Sequence, residues 1–428
     1  MNLQFQTKTS PSFQQRSLLT ISLLTLVRIG SFIPLPYIDL KTFSTLLESK
    51  NSSTTAVAAI LNSFSGGGTA SFSILSLGIL PYINASIIIQ LLTTINPSLL
   101  KLQKDEGEYG RRKLTDYTRY LTFFCAAIES LLTTYSFRSL IFNWNFFSVL
   151  QISLTLVTGS MIILWFSELI TKKGVGNGAS LLICFNIVSN FANQLKAMIV
   201  TLTNQNLLIA ILLNVIFLFT TVGCIYINEA TVRIPLISAS QLLKKLSKTS
   251  LWNRSNLPLR VNQSGVMPLV FTSSVMVILS SLTKLIYGQV VTLQTFSFLE
   301  TISGSFAINI FYWITYGSLV FFFTSFYSKV ILDPKDIAEQ FRKSSVAIKG
   351  VAPGISTQNY LSLTIRRLTL LNAIFLVTII ILLNGLESLL PVNNLRGFGF
   401  TSQLILVNVI IDTFRQVQNL LNAEDLLH

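Results

Sequence analysis

Few residues in this chain could make or break a covalent bond. Its one histidine, His428, is the last residue, and an exposed terminus cannot hold a general base against a nucleophile. There is no Ser/His pair and no HExxH. GGGTAS, 66–71, lacks the Lys-Ser/Thr that completes a phosphate loop. Cys125, Cys184 and Cys224 are too far apart for metal-ligand spacing or a disulfide framework, and they read as small apolar packing residues. What remains are acids in apolar surroundings: Glu129, Glu168, Glu229 and Asp412. Such acids suggest an ion or proton path. Most of these, however, stand near the ends of apolar runs, where headgroups solvate them, and pairing with a cation such as Arg28 is the simpler reading. The expectation is a protein with no enzymatic activity, no metal and no cofactor.

The elements that must hold these residues are long and apolar. The 428 residues are 51% hydrophobic and 11% charged, with a mean hydropathy of +0.62, too little charge to cover a soluble protein of this size. A bilayer core is crossed by about 20 apolar residues of helix. Suitable runs occur near 17–38, 72–95, 118–137, 146–170, 178–202, 206–228, 266–288, 305–328, 366–390 and 401–421. The third and seventh are the most polar. The first lacks a small-residue cleavage site and is followed by further spans, so it is not expected to be a signal peptide.

Charge sets the orientation. The net charge is +14, and with ten spans both termini lie on one side. Of 31 Lys and Arg, 24 then fall in the segments on that side and 6 on the other, with Arg28 inside the first span. The positive-inside rule assigns the richer side, and both termini, to the cytoplasm or stroma. Two inside loops, 229–265 and 329–365, are long and basic, which suggests a docking surface for a large or acidic partner. DPKDIAEQF, 333–341, reads as a short helix with Asp333 as its cap and Pro334 in its first turn. Five spans precede residue 202 and five follow 203, a division into halves 1–202 and 203–428. An odd number of spans per half makes such halves antiparallel. No internal sequence repeat links them.

Several motifs occur together. EGEYGRRK, 106–113, reads alone as a solvated inside hairpin, and KKGVGNGAS, 172–180, as a tight turn needing positive φ. LGILPYINASIIIQLLT followed by EGEYGRRKLTDYTRYLT resembles the second span and following loop of the SecY family, the central subunits of Sec protein translocases. RIGSFIPLP, GVGNGASLL, LPLRVNQSGVMPLVFTSS and DTFRQVQ extend the resemblance over residues 16–420. It implies an all-α polytopic membrane protein, ten transmembrane helices in two pseudo-symmetric halves of five around a central pore. The implied function is a protein-conducting channel that passes unfolded preproteins and releases apolar helices sideways into lipid.

By the same resemblance, Ile83, Ile87, Ile183, Ile187, Val270 and Ile405 form an apolar ring at the pore's waist. The spacing is compatible: Ile83 with Ile87 and Ile183 with Ile187 are each four apart, on one helical face. Branched aliphatic side chains exclude ions by dewetting and yield to a passing chain. The segment 62–72 corresponds to a plug below the ring, with Asn62, Phe64, Gly66, Gly67, Gly68 and Ser71. Three glycines lower its helix propensity by up to about 1 kcal/mol each, which suits a removable element, and Pro81 is expected to let the adjoining helix bend. Lateral-gate positions are Asn84 and Ser86 on the second span, with Phe271, Thr272, Ser273 and Ser274 on the seventh. Partner docking falls on Arg233, Lys244, Lys245, Lys349, Arg366 and Arg367.

The resemblance also implies partners: a SecE-like and a SecG-like membrane subunit, and a SecA motor, a signal-recognition particle pathway or translating ribosomes. Three departures stand out. VAPGIS has Ala352 where the family carries an arginine before Pro-Gly, NEATVRIPL keeps only Arg233 of an Arg-rich stretch, and Asn408 is an unexpected amide in the tenth span. Abundant Phe, Ile, Asn and Ser beside only 21 glycines suggest an AT-rich coding genome, hence a plastid protein of the thylakoid membrane, the alternative being a bacterial plasma membrane. Two other functions stay open: an insertase that translocates no soluble chains, and a secondary solute transporter, which would need polar groups at the pore's waist.

Overall fold

The computed structural model describes residues 13–37, 73–104, 106–136, 138, 141–142, 144–189, 207–238, 256–276, 279, 314–389 and 400–425. The expected plug residues Asn62, Phe64, Gly66, Gly67, Gly68 and Ser71, and the docking candidates Lys244 and Lys245, lie outside them. Each of the ten apolar runs contains helix within the described residues. The chain falls into two compact units, Met1–Lys196 with Val409–His428, and Ala197–Asn408.

The first unit holds α1 (Phe13–Gly30), α2 (Leu80–Ile95), α3 (Pro97–Lys104), α4 (Gly107–Ser136) and α5 (Phe146–Lys173). It also holds α6 (Gly178–Ser189) and the end of α12 (Phe400–Asp425). Helix α2 packs on α4, α4 on α5, and α1 on α5. The expected second span began at 72, but residues 74–79 are turns, and Ser73 bridges Pro34 instead. Gly159 of α5 lets this segment lie close, since a Cβ there would stand 2.2 Å from the Ile74 carbonyl oxygen. Pro81 sits in the first turn of α2. There its missing N–H costs nothing, so it starts the helix rather than bending it. The break comes later, at Asn96-Pro97, where α3 leaves α2 at 108°. The Asn96 side chain accepts from Ser98 N at 3.1 Å, a turn that competes with helix.

EGEYGRRK is not a hairpin. From Gly107 onward it is the first turns of α4, stitched by an exposed Arg112–Glu108 pair at i,i+4 spacing. Asn145 caps α5 in a reciprocal box with Ser148. In the turn from α5 to α6 only Gly176 has positive φ, at 88°. Gly178 is needed for space, as a Cβ there would meet the Ser167 carbonyl oxygen at 2.0 Å.

The second unit holds α7 (Leu207–Glu229), β1 (Thr231–Ser238) and β2 (Asn256–Arg260). It continues with α8 (Met267–Met276), α9 (314–331), α10 (Pro334–Lys343), β3 (Val346–Ile348), α11 (Ile355–Leu389) and the start of α12. The cap of α10 is as expected: the Asp333 carboxylate accepts from Lys335 N at 3.0 Å, and Pro334 opens the helix. Helix α11 begins eleven residues before the apolar run at 366, because its first turns present Leu361 and Ile365 to a separate small core.

That core belongs to a sheet the all-α expectation did not contain. Strands β2, β1 and β3 pair antiparallel in that order, with Arg233 opposite Pro258 and Leu236 opposite Ile348. The described parts of the two long basic loops thus pair in one sheet. Ile234, Leu259 and Ile348 point inward onto Leu361, Ile365 and Leu368 of α11. Among the described residues, Phe146–Lys173, Ile314–Lys343 (α9 with α10) and Ile355–Leu382 are long and apolar enough to cross a membrane, and α2 with α3 forms one bent pair.

Candidate functional site

The residues expected at the waist are all buried: Ile83 and Ile87 on α2, Ile183 and Ile187 on α6, Val270 on α8 and Ile405 on α12, none more than 6% exposed. Exposed isoleucines look different. Ile88, next to Ile87 but on the far side of α2, is 40% exposed. On α2 the i,i+4 pair shares one buried face, and Ala85, on the opposite side of the helix, is fully buried as well.

The gate candidates are more committed to their own units than their small size suggested. Asn84 turns to α4, where its side-chain amide donates to Glu129 Oε1 at 2.5 Å. Ser86 is half-buried. Phe271 packs against α9, 6.0 Å from the Phe323 ring and 4.9 Å from the Tyr327 ring. Thr272 and Ser273 donate to carbonyls of their own helix, Pro268 O at 2.8 Å and Val270 O at 2.7 Å. Ser274 is buried, and its hydroxyl has no partner among the described residues.

The acids find local partners. Glu168 accepts from Arg119 of α4 through both carboxylate oxygens, the Nε contact at 2.7 Å, and Lys172 lies 3.3 Å away. The pairing expectation therefore holds for Glu168, with Arg119 in place of Arg28. Asp412 lies 3.9 Å from Arg415 on the same helix. Arg28 lies over the Phe32 ring at 4.9 Å.

The docking candidates gather on the sheet and the helix beneath it. Arg233 on β1 and Lys349 after β3 are exposed, as are Arg366 and Arg367 on α11. The Lys349 N–H donates to the Pro235 carbonyl at 3.2 Å, which binds the β3 end to β1. Arg260, opposite Thr231, and Lys335 and Arg342 on α10 add exposed charge. These side chains place a cluster of positive charge on the sheet, α10 and the start of α11. Sequence reading missed the sheet. Its signal was the alternation in TVRIPLIS and NLPLR, which is short and interrupted by prolines.

Comparison with known proteins agrees with this architecture. A model of the SecY family matches residues 73–414. The chain is 58% identical over 434 residues to the protein translocase subunit SecY of Vaucheria litorea, covering 99% of each chain. It is 40% identical to that of Guillardia theta, again over 99% of each, and 42% identical to that of Synechocystis sp., over 94% of this chain and 91% of the relative. Among solved structures, a protein conducting channel aligns at a TM-score of 0.65 and 17% identity, covering 95% of this chain and 92% of the other. Sec61 of the canine ribosome-channel complex aligns at 0.62 and 15%, with the same coverage. With its family matched along most of its length, its relatives end to end and its fold shared with channel structures, the chain belongs to the SecY family.

Proposed function

We propose that this chain is the channel-forming subunit of a protein translocase. It passes unfolded preproteins across a membrane and releases apolar helices laterally into lipid. The observation that carries this reading is the 58% identity to a translocase subunit over 99% of both chains. The channel makes and breaks no covalent bonds, and the driving energy comes from a partner.

In this reading the two halves are 1–202 and 203–428. The waist is closed by Ile83, Ile87, Ile183, Ile187, Val270 and Ile405, and their burial supports the assignment. Segment 62–72 is the plug. Asn84, Ser86, Phe271, Thr272, Ser273 and Ser274 form the lateral gate, and Asn84 and Phe271 also hold its two helices to their neighbours. A SecE-like and a SecG-like subunit complete the membrane complex. A SecA motor or a ribosome docks on Arg233, Lys244, Lys245, Lys349, Arg366 and Arg367. The membrane is the thylakoid, with both termini in the stroma. The relatives from the plastid-bearing algae Vaucheria litorea and Guillardia theta support that location.

The test is translocation by the complex reconstituted in vesicles, read as protection of a preprotein from external protease. Protection that depends on this chain supports the proposal. Insertion of apolar helices without protection of soluble chains would replace it with the insertase function.

A further inference from the structure

The amide at position 408 has partners. Asn228 at the end of α7, Asn262 in the lead-in to α8, Asn372 on α11 and Asn408 on α12 are all buried, none more than 8% exposed. They join in one chain of hydrogen bonds. The Asn228 side-chain amide donates to Asn408 Oδ1 and to the Cys224 carbonyl. The Asn262 amide donates to Asn228 Oδ1 at 2.6 Å, and the Asn372 amide donates to Asn262 Oδ1 at 3.1 Å. A second chain runs beside the first: Ser328 of α9 donates to Gln263 Oε1 at 3.1 Å and lies 2.5 Å from the Thr369 hydroxyl of α11. The backbone joins as well, with Val261 N donating to the Ala230 carbonyl at 3.0 Å.

Four of these bonds grip the same short stretch just before α8, one at Val261, two at Asn262 and one at Gln263, and the rest tie their partners together. Gly265 follows with φ at 60°, a conformation other residues seldom take. Beyond it the grip changes character. Among the described residues, the hydroxyls of Thr272 and Ser273 bond to α8's own carbonyls, and Phe271 makes ring contacts with Phe323 and Tyr327. Directional bonds between buried amides have discrete geometries and leave an unsatisfied group if one member is removed. Apolar ring contacts can slide. The helix is therefore fixed at its root and held over its described turns, 267–276, by contacts that allow movement.

We infer that Asn228, Asn262, Asn372 and Asn408 form an amide clasp that fixes the root of α8 on α7, α11 and α12, so that α8 moves by swinging about Gly265. This rests on the reading of α8 as a gate helix. Its residues Val270, Ser273 and Ser274 change position in the swing while the clasp stays closed. The asparagines are positioning residues and need not touch the passing chain.

Pulsed electron paramagnetic resonance on the full channel complex in nanodiscs tests this, with Cys125, Cys184 and Cys224 replaced by serine. One spin-label pair, Arg260→Cys with Ser362→Cys, spans the root. A second, Leu279→Cys with Ser362→Cys, spans the far part of the helix. All three positions are exposed. The distances are compared between the idle channel and one holding a protease-protected, arrested preprotein. The clasp predicts an unchanged root distance and a shifted far distance, and it predicts that Asn262→Leu broadens the root distance in the idle channel. If both distances shift together, the clasp is overturned and the gate reading stands. If neither shifts, both fall. An unbroadened root distance in Asn262→Leu also overturns the clasp. The comparison of the two pairs in the chain with its asparagines intact decides the matter even if that variant does not assemble.

Discussion

The side-chain amide of Asn84 on α2 donates to Glu129 on α4 across 2.5 Å, so a carboxylate deep in the third span is held by the helix that also carries two residues of the proposed waist. The bond fixes the rotation of α2, and with it the direction in which Ile83 and Ile87 point.

Replacing Asn84 with leucine leaves that carboxylate without its donor, at a cost of about 1–3 kcal/mol. The expected outcome is a lower thermal transition of the purified complex, followed by intrinsic fluorescence. Glu129→Gln keeps a hydrogen-bonding partner for Asn84 and should lower the transition less. Equal transitions in Asn84→Leu and the unmodified chain would show that the bond does not hold α2.

The Arg119–Glu168 pair offers a contrast. Arg119 is 42% exposed, so solvent screens it, and Arg119→Lys should cost less than about 1 kcal/mol although it removes a two-pronged contact. The difference between the two proteins should shrink in high salt, which melting at two ionic strengths would reveal.

The small sheet is predicted to be the keystone of the inside loops. Ile234 is 2% exposed between the sheet and α11, and Ile234→Ala should cost about 2–5 kcal/mol locally. Trypsin should then cut the 229–265 loop faster while cleavage elsewhere is unchanged. Uniform acceleration along the chain would mean the sheet is not an independent unit.

Docking should follow charge. Arg233→Glu with Lys349→Glu is expected to weaken binding of a SecA motor or ribosome at least tenfold, with a reduced salt dependence. Ala352 is exposed at the turn before α11, so Ala352→Arg has room and should strengthen binding if the missing arginine limits it. Unaltered affinity in the double charge reversal would place the docking surface elsewhere.

At the waist, Ile87→Asn or Ile405→Asn introduces an amide that water can follow. Both variants should raise ion leak through the idle channel and pass preproteins with defective signal sequences. Tight, selective channels in both would remove these residues from the ring.

The ten apolar runs were legible because about 20 consecutive apolar residues have few other uses, and the cap of α10 because Asp333-Pro334 is a strong local signal. Helix starts were less legible. Gly107 and Ile355 open α4 and α11 well outside the apolar runs, where polar turns look like loops and only tertiary packing decides. The sheet was hidden for a related reason: its strands are short, β1 and β2 contain Pro235 and Pro258, and β1 pairs with β3 across about a hundred residues of intervening chain. The clasp was the least legible. Asn408 alone had no physical account, since its partner Asn228 lies 180 residues away, and nothing local marks either residue as half of a pair. The waist residues were named through family motifs, and the i,i+4 spacing agreed with them.

The most direct test of the central claim is site-specific photocrosslinking of an arrested preprotein in membranes, with a photoreactive residue at position 187. Adducts at 187 that form only while a chain is in transit are the predicted result and place the polypeptide at the proposed waist. Adducts at Ser273 with none at 187 would favour an insertase. An engaged chain that reacts at neither position would contradict the proposed path.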